Sequence, residues 1–267
     1  MMWRCAWVII FSASMVSAAW AEAIPVPGGS SIPPPEERTE AEKEELARLL
    51  AIATKAKSGS RKYSAELDIS AHPFIGPVDA PLVLIEFGSY QCGFCRKHFA
   101  KTFPELKSTY VDSGKLRYVF FDMALDKRHT HAAKAAEAAH CANEQGEYLA
   151  YRSALFDSNK VAAEFLPEHA ASVGLNAADF ARCLDSERYR ARPEADRLLS
   201  RKLRVRGTPS FFLGRLHPDG ERVAVVQRIT GARPFALFSK QIDTHYAGMV
   251  ATDESETSAS ISGNRQP

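Results

Sequence analysis

Two cysteines separated by two residues lie where a buried apolar segment passes into an amphipathic one, in the stretch IEFGSYQCGFCRKHFAKTFPEL of residues 85–106. The segment before them, APLVLIEF, is rich in branched apolar residues and predicts a buried strand. The apolar spacing from Gly93 to Tyr110 predicts a helix with a kink at Pro104, and the segment KLRYVFFD predicts a second buried strand. A strand, a helix and a strand in this order indicate a right-handed crossover in a parallel sheet.

Cys92 lies where the first strand ends and the helix begins, and this position favours a reactive thiol. The free amide groups and the positive dipole end of a helix stabilise a thiolate, which lowers the pKa of the cysteine below its ordinary value of about 8.5. Cys95 lies one helical turn further on, within disulfide reach, so it could resolve a bond formed by Cys92. A zinc site needs two further ligands, and the other cysteines form no second closely spaced pair. The pattern therefore favours a redox pair over a metal site or a structural disulfide.

The first 21 residues have the composition of a secretory signal. Arg4 is followed by an apolar stretch over residues 5–16 that is too short to span a bilayer comfortably, and small residues favour cleavage after Ala21 or Ala23. An uncleaved N-terminal anchor is the alternative. No later segment has the ~20 apolar residues that a membrane-spanning helix needs, so we expect an exported, soluble protein.

Removal of this signal would take Cys5 with it and leave an even number of cysteines, namely Cys92, Cys95, Cys141 and Cys183. Disulfides persist in oxidising compartments, so an even count in an exported chain favours pairing. The formal net charge of +2 comes from interleaved acidic and basic residues, and this pattern gives no reason to expect nucleic acid as a partner.

The rest of the chain divides into three regions. Residues 22–62 contain a linker rich in Pro, Gly and Ser and a predicted helix over residues 37–56, which either packs on the main domain or joins two copies of the chain. Residues 63–247 are predicted to form the main α/β domain. Residues 248–267 are poor in apolar side chains and are expected to be a disordered tail.

The main domain is interrupted by an alanine-rich region, about residues 129–203, without a strand candidate. Helices are expected there over residues 130–144, 147–157, 163–173, 177–184 and 187–203. The segments TPSFFLG and RVAVVQRI then predict a strand pair around the turn HPDGE, and RPFALFSKQIDTHY predicts a closing helix.

The segment PLVLIEFGSYQCGFCRKHFAKTFPEL, the long helical insertion and the segment VRGTPSFFLG together resemble the DsbA-like branch of the thioredoxin superfamily, from Phe74 to Ala247. The resemblance implies an α/β thioredoxin fold with an inserted all-helical subdomain. It implies a redox-active pair in which Cys92 attacks and Cys95 resolves. It also implies a cis peptide bond before Pro209, facing that pair.

The same resemblance assigns roles to two further residues. Thr208 would offer backbone groups to a substrate strand, because the proline after it has no amide proton. Glu86, six residues before Cys92, corresponds to a buried acid beneath the active site, and it would exchange a proton with Cys95 directly or through water. A half-exposed strand glutamate without a catalytic role is the alternative for Glu86.

The sequence departs from the strongly oxidising members of this branch close to the cysteines. Phe94 stands where they carry a histidine that helps to hold the thiolate, and Thr208 stands where they carry valine. Both differences favour a less oxidising pair, able to reduce or isomerise disulfides. Arg96 and Lys97 add positive charge nearby, and His98 is expected to be a surface residue.

Cys141 and Cys183 both lie in the helical insertion. The resemblance to some members of the branch implies a second disulfide that joins two helices. In the chain-entropy account, closing a loop of ~40 residues stabilises a protein by roughly 4 kcal/mol. Two unpaired buried cysteines, or a regulatory rather than a structural disulfide, are the alternatives.

The resemblance implies a periplasmic thiol:disulfide oxidoreductase, without cofactor or metal, that acts on cysteine-containing exported proteins. The expected function is that of a DsbA-like oxidase, which would be reoxidised by a membrane partner of the DsbB type. The alternative is an isomerase or reductase of the DsbC/DsbG type, which would be kept reduced by a DsbD-type partner. An isomerase would gain from forming a dimer through residues 37–56. A redox-silent, chaperone-like binding module is the alternative outside the enzymes.

Overall fold

A computed structural model describes residue 40 and residues 65–123 and 129–262 of the 267-residue chain. The chain divides into two units between Gly59 and Ser60, and every element described below belongs to the second unit. The expected signal over residues 1–21 and the expected helix over residues 37–56 lie outside the described residues, apart from residue 40.

The described chain alternates between strands and helices around one mixed sheet. The strands are β1 (Glu66–Asp68), β2 (Phe74–Ile75), β3 (Leu82–Gly88), β4 (Leu116–Asp122), β5 (Ser210–Leu216) and β6 (Arg222–Thr230). The helices are α1 (Gly93–Lys101), α2 (Phe103–Leu106), α3 (Ala132–Glu144), α4 (Tyr148–Ser158), α5 (Leu166–Ser172), α6 (Ala177–Asp185), α7 (Ala191–Lys202) and α8 (Phe235–Ser262), with a π-helical turn at Lys107–Val111 and a 3₁₀ turn at Ala163–Phe165.

The sheet has the strand order β1-β6-β5-β3-β4-β2. β3 and β4 pair in parallel, as the predicted crossover requires, and the other pairs are antiparallel. All residues of β3 and β4 are buried, because both strands lie inside the sheet with both faces covered. The expected α/β architecture with an inserted helical region is therefore confirmed.

Alternation along β3 sends its side chains into two cores on opposite faces of the sheet. Leu82 and Leu84 contribute to the core that lies against α1, α3 and α4, whereas Val83, Ile85 and Phe87 contribute to the core on the other face. Glu86 is in phase with Leu82 and Leu84. Its carboxyl group therefore points into the larger, helix-covered core beneath the cysteine pair.

The predicted kink in the first helix is present as a break in the helix. α1 ends at Lys101, and α2 begins at Phe103 with Pro104 in its first turn, where a missing amide proton costs nothing. The inserted helices α3 to α7 agree with the predicted ranges to within a few residues.

Two features of the chain differ from the sequence-based expectation. The short edge strands β1 and β2 were not predicted, because two or three residues carry too little periodicity to identify a strand. The closing helix α8 continues through Gly248, where the disordered tail was expected to begin, as far as Ser262. No proline interrupts this segment, and one interior glycine costs a helix only about 1 kcal/mol.

None of the helices that the structure describes is both long and apolar enough to cross a bilayer.

Candidate active site

The two cysteines lie at the start of α1, directly after the loop that follows β3. Cys92 is the N-cap residue of α1, with extended backbone torsions, and Cys95 is in its first turn. Both are free thiols in this structure, with 7% of Cys92 and none of Cys95 exposed. Phe94 between them is 67% exposed, so an apolar ring lies on the surface beside the only accessible part of the pair.

The surroundings of Cys92 favour its thiolate. The largest contribution is a hydrogen bond from the Cys95 thiol. The side chain of Thr208 and the backbone amides of Cys95 and Phe94 add to it against the cost of burial, and the pKa of Cys92 is lowered to about 5. The stabilising donors include two amides at the helix N-terminus, as the sequence predicted from the position of Cys92. Phe94 therefore contributes through its backbone although its side chain lacks the donor that a histidine would offer.

Cys95 behaves in the opposite way. Burial, reinforced by its hydrogen bond with Cys92 and by the charge of Glu86, raises the pKa of the Cys95 thiol well above its ordinary value. One sulfur is thus prepared as a thiolate, and the other keeps its proton until a base removes it.

A cis peptide bond joins Thr208 to Pro209, immediately before β5. The Cys92 sulfur lies 3.4 Å from the carbonyl oxygen of Thr208 and donates to it when it is protonated. The resemblance implies a cis bond at this place facing the cysteine pair, and the contact of Thr208 with Cys92 agrees with that expectation. The Pro209 carbonyl accepts a hydrogen bond from the amide of Gly231, 2.9 Å away, which attaches this loop to the end of β6.

Glu86 is fully buried on β3, not half exposed. Its Oε2 atom accepts hydrogen bonds from the Tyr118 hydroxyl at 2.5 Å and from Nη2 of Arg152 at 2.7 Å. Among the residues that the structure describes, none hydrogen-bonds to Oε1. Burial raises the pKa of Glu86, while the charge of Arg152 and the hydrogen bond from Tyr118 oppose that rise.

Arg152, on α4 of the helical insertion, is a member of this site that the sequence did not predict. Its side chain has no exposed surface. Its guanidinium carbon lies between 4.4 and 5.5 Å from the centres of five aromatic rings, those of Phe99, Phe103, Tyr118, Phe120 and Phe156. This aromatic cage stabilises the cation, and a single arginine in an amphipathic helix gives no sequence signal of it.

His98 is buried rather than exposed, so the expectation of a surface residue is wrong. Its Nε2 atom lies 3.2 Å from the Tyr118 hydroxyl, and its ring packs on Phe211 and Phe238. Burial, followed by the charge of Arg152, lowers the pKa of His98 to about 3, which keeps the ring neutral. It is a buried neighbour of Glu86 through Tyr118 and not a partner of the Cys92 thiolate.

Cys141 and Cys183 form a disulfide between α3 and α6, with their Cα atoms 5.7 Å apart and a sequence separation of 42 positions. Both are buried in the core of the helical insertion. Over residues 65–123 and 129–262, no cluster of three or more potential metal-ligating side chains is present.

Comparison with known proteins agrees with this geometry. The sequence profile of the family described as Thioredoxin matches residues 69–224, more than half of the chain. Disulfide bond formation protein D of Bacillus subtilis is 23% identical over 166 residues, which are 60% of this chain and 75% of that protein.

Two solved structures share the fold. The crystal structure of α-DsbA1 from Wolbachia pipientis superposes with a TM-score of 0.59 and 25% identity, over 70% of this chain and 96% of that one. Oxidised BdbD from Bacillus subtilis gives a TM-score of 0.59 at 20% identity, over 69% of this chain and 97% of that one, and at this identity the likeness concerns the fold alone. The family match and the similarity to a curated disulfide bond formation protein and to these structures lead to one assignment. The chain belongs to the thioredoxin family and is a DsbA-like thiol:disulfide oxidoreductase.

Proposed function

We propose that this protein oxidises pairs of cysteine thiols in exported proteins, using the Cys92–Cys95 disulfide. A substrate thiolate attacks the Cys92 sulfur, a mixed disulfide forms, and Cys95 leaves as a thiolate and takes up a proton. A second substrate thiolate then attacks its own sulfur in the mixed disulfide and releases Cys92 as a thiolate. The substrate loses two electrons, and the cysteine pair gains them.

The observation that carries the oxidising direction is the lowered pKa of Cys92, about 5. A stabilised thiolate stabilises the reduced enzyme, and a stable reduced enzyme is a strong oxidant. Phe94, in place of a histidine, predicted a weaker oxidant. The amides at the start of α1, the Cys95 thiol and Thr208 supply stabilisation that does not depend on a side chain at position 94.

Substrate docking would use the surface around the exposed part of the pair. Thr208 would pair its backbone groups with an extended substrate segment, since Pro209 has no amide proton to satisfy. Phe94, which is exposed, would add apolar contact beside the reacting sulfur.

The cellular setting is part of the same proposal. Residues 1–21 would direct export to the periplasm, and a membrane partner of the DsbB type would reoxidise the reduced pair. If the protein were instead an isomerase or reductase, a DsbD-type partner would reduce it and residues 37–56 would join two copies. Phe94, which lacks the side-chain donor of the histidine found in strongly oxidising members, is the observation that favours this second candidate.

The proposal is tested by single-turnover oxidation of a reduced, unfolded protein that needs one disulfide. The protein in its disulfide form is expected to oxidise this client in stoichiometric amount. Cys92→Ser and Cys95→Ser are both expected to be inactive as oxidants. Cys95→Ser is nevertheless expected to transfer a disulfide to the client when its Cys92 is first converted to a mixed disulfide. If the wild type formed no disulfide in the client protein but kept it soluble, and Cys92→Ser did so equally well, a redox-silent binding module would be the correct function.

A further inference from the structure

The helical insertion reaches the active site through the buried ion pair of Arg152 and Glu86. The two side chains have no exposed surface, and their N–O distance is 2.7 Å. Replacing a buried ion pair with apolar residues of similar volume is often neutral or stabilising, because desolvating both charges offsets their attraction. Stability alone therefore does not explain a charge pair at this position, directly beneath a reactive cysteine pair.

The two oxygens of Glu86 have different surroundings. Oε2 accepts from Arg152 and Tyr118, whereas no described residue bonds to the buried Oε1. A Cβ atom at Gly88 would lie 3.0 Å from Oε1 and 2.5 Å from the ring of Phe120, so the glycine keeps the space beside Oε1 open. Oε1 is thus the carboxylate atom that is available for proton exchange.

We propose that Arg152 is a positioning residue for thiol–disulfide exchange. It holds Oε2 of Glu86 so that the carboxylate persists under the cysteine pair and Oε1 can take the proton of Cys95. The inserted helical region would then be part of the redox chemistry and not only a cover for the sheet. This inference rests on the proposed function and adds to it the group that controls the proton.

The step concerned is the closing of the enzyme disulfide. Cys92 is joined to a partner sulfur, and the Cys95 thiol gives its proton to Oε1 of Glu86. The Cys95 thiolate attacks the Cys92 sulfur, the Cys92–Cys95 bond forms, and the partner leaves as a thiolate that carries the electron pair of the broken bond. In the oxidising direction the same step runs backwards, and Cys95 recovers its proton from Glu86.

Groups from four parts of the fold face this ion pair and bear on its titration. They are Cys92, Cys95 and His98 on α1, Tyr118 on β4, Tyr148 on α4 and Tyr90 in the loop before α1. Burial raises the pKa of each of the three tyrosines and lowers that of His98, so all four stay neutral in the physiological range. The main charges that act on Glu86 are therefore those of Arg152 and of the Cys92 thiolate.

Oxidised glutathione is a suitable probe. With the reduced protein it gives first a mixed disulfide at Cys92 and then the Cys92–Cys95 disulfide, and acid quenching followed by mass spectrometry measures the two steps separately. The rate of the second step is measured as a function of pH, and its acid limb is the fall in rate as Glu86 becomes protonated. Arg152→Met is expected to move this acid limb to higher pH by about one unit or more, because losing a nearby positive charge raises the pKa of Glu86. Arg152→Lys keeps the charge with fewer fixed donors and is expected to move the limb less.

Two controls separate positioning from packing. Arg117→Met removes another buried arginine, one that donates to the backbone carbonyls of Pro77 and Gly220, and it is expected to leave the acid limb in place. In a Glu86→Gln background the second step is expected to be slow, and adding Arg152→Met is expected to cause no further shift. The proposal is overturned if Arg152→Met leaves the limb of the wild type unchanged, or if the shift persists without Glu86.

If Arg152→Met does not fold, the titration of Glu86 itself gives the answer. Infrared difference spectra of the wild type against Glu86→Gln identify the carboxyl band, and its midpoint is expected to be higher in Arg152→Lys than in the wild type. An unchanged midpoint would overturn the proposal. Failure of glutathione to form a mixed disulfide at Cys92 in the wild type would instead count against the proposed function.

Discussion

Cys92 and Cys95 are separated by one helical turn, yet their thiols are affected in opposite directions. Cys92 is bonded by amides and by the Cys95 thiol at the protein surface, whereas Cys95 is enclosed and lies near the carboxyl group of Glu86. The first sulfur can therefore react with a partner at neutral pH, and the second waits for a base. The order of events in the exchange follows from this difference in burial and hydrogen bonding.

Thiolate absorbance of the reduced protein is expected to titrate with a midpoint near pH 5, the pKa of Cys92. Cys95→Ala is expected to raise this midpoint, because the hydrogen bond with Cys95 is the largest stabilising contribution. The thiolate form is present above pH 5 and is lost as the pH falls through that value. Alkylation by iodoacetamide should follow the same curve. A midpoint near the ordinary 8.5 of a free cysteine would contradict the account.

The predictable part of the site is the part whose position is fixed by local sequence. Cys92 and Cys95 follow a strand and open a helix, so their environment can be argued from the first turn of that helix. Arg152 and His98 were missed or misplaced, because each is a polar residue on a helix whose burial depends on side chains from distant elements. No spacing rule reports such packing.

At the scale of elements, α3 and α6 are joined by the Cys141–Cys183 disulfide, and α4 packs against α1, α3 and α5, with its Arg152 bonded to Glu86 on β3. The helices of the insertion could be predicted because alanine-rich, amphipathic segments carry a clear period. The strands β1 and β2 could not, because they are held as edges by β6 and β4 and have little pattern of their own.

Replacing Cys141 and Cys183 together by alanine is expected to lower the free energy of unfolding by about 2–4 kcal/mol, since the bond closes a long loop of the unfolded chain. Denaturation followed by circular dichroism is the suitable measurement, because the three tryptophans Trp3, Trp7 and Trp20 all precede the expected cleavage site. The titration midpoint of Cys92 should not change. Unchanged stability would mean that the bond does not brace the insertion, and a displaced midpoint would favour a regulatory disulfide.

For the whole molecule, a thioredoxin fold presents a cysteine pair on one side of a sheet, and an inserted helical region supplies the arginine beneath it. The fold class and the insertion could be predicted from the order of strands and helices. The direction of electron flow could not, because it depends on the balance of hydrogen bonds around one sulfur. Positions 94 and 208 suggested a less oxidising pair, whereas the hydrogen bonds of the assembled site favour an oxidising one.

The equilibrium reduction potential of the Cys92–Cys95 pair, measured against glutathione, tests this account most directly. A potential clearly more oxidising than that of thioredoxin, in the direction of the about −120 mV of DsbA, is expected, because the Cys92 thiolate stabilises the reduced protein. A potential near that of thioredoxin, about −270 mV, would contradict the oxidising direction and would favour a reductase or an isomerase.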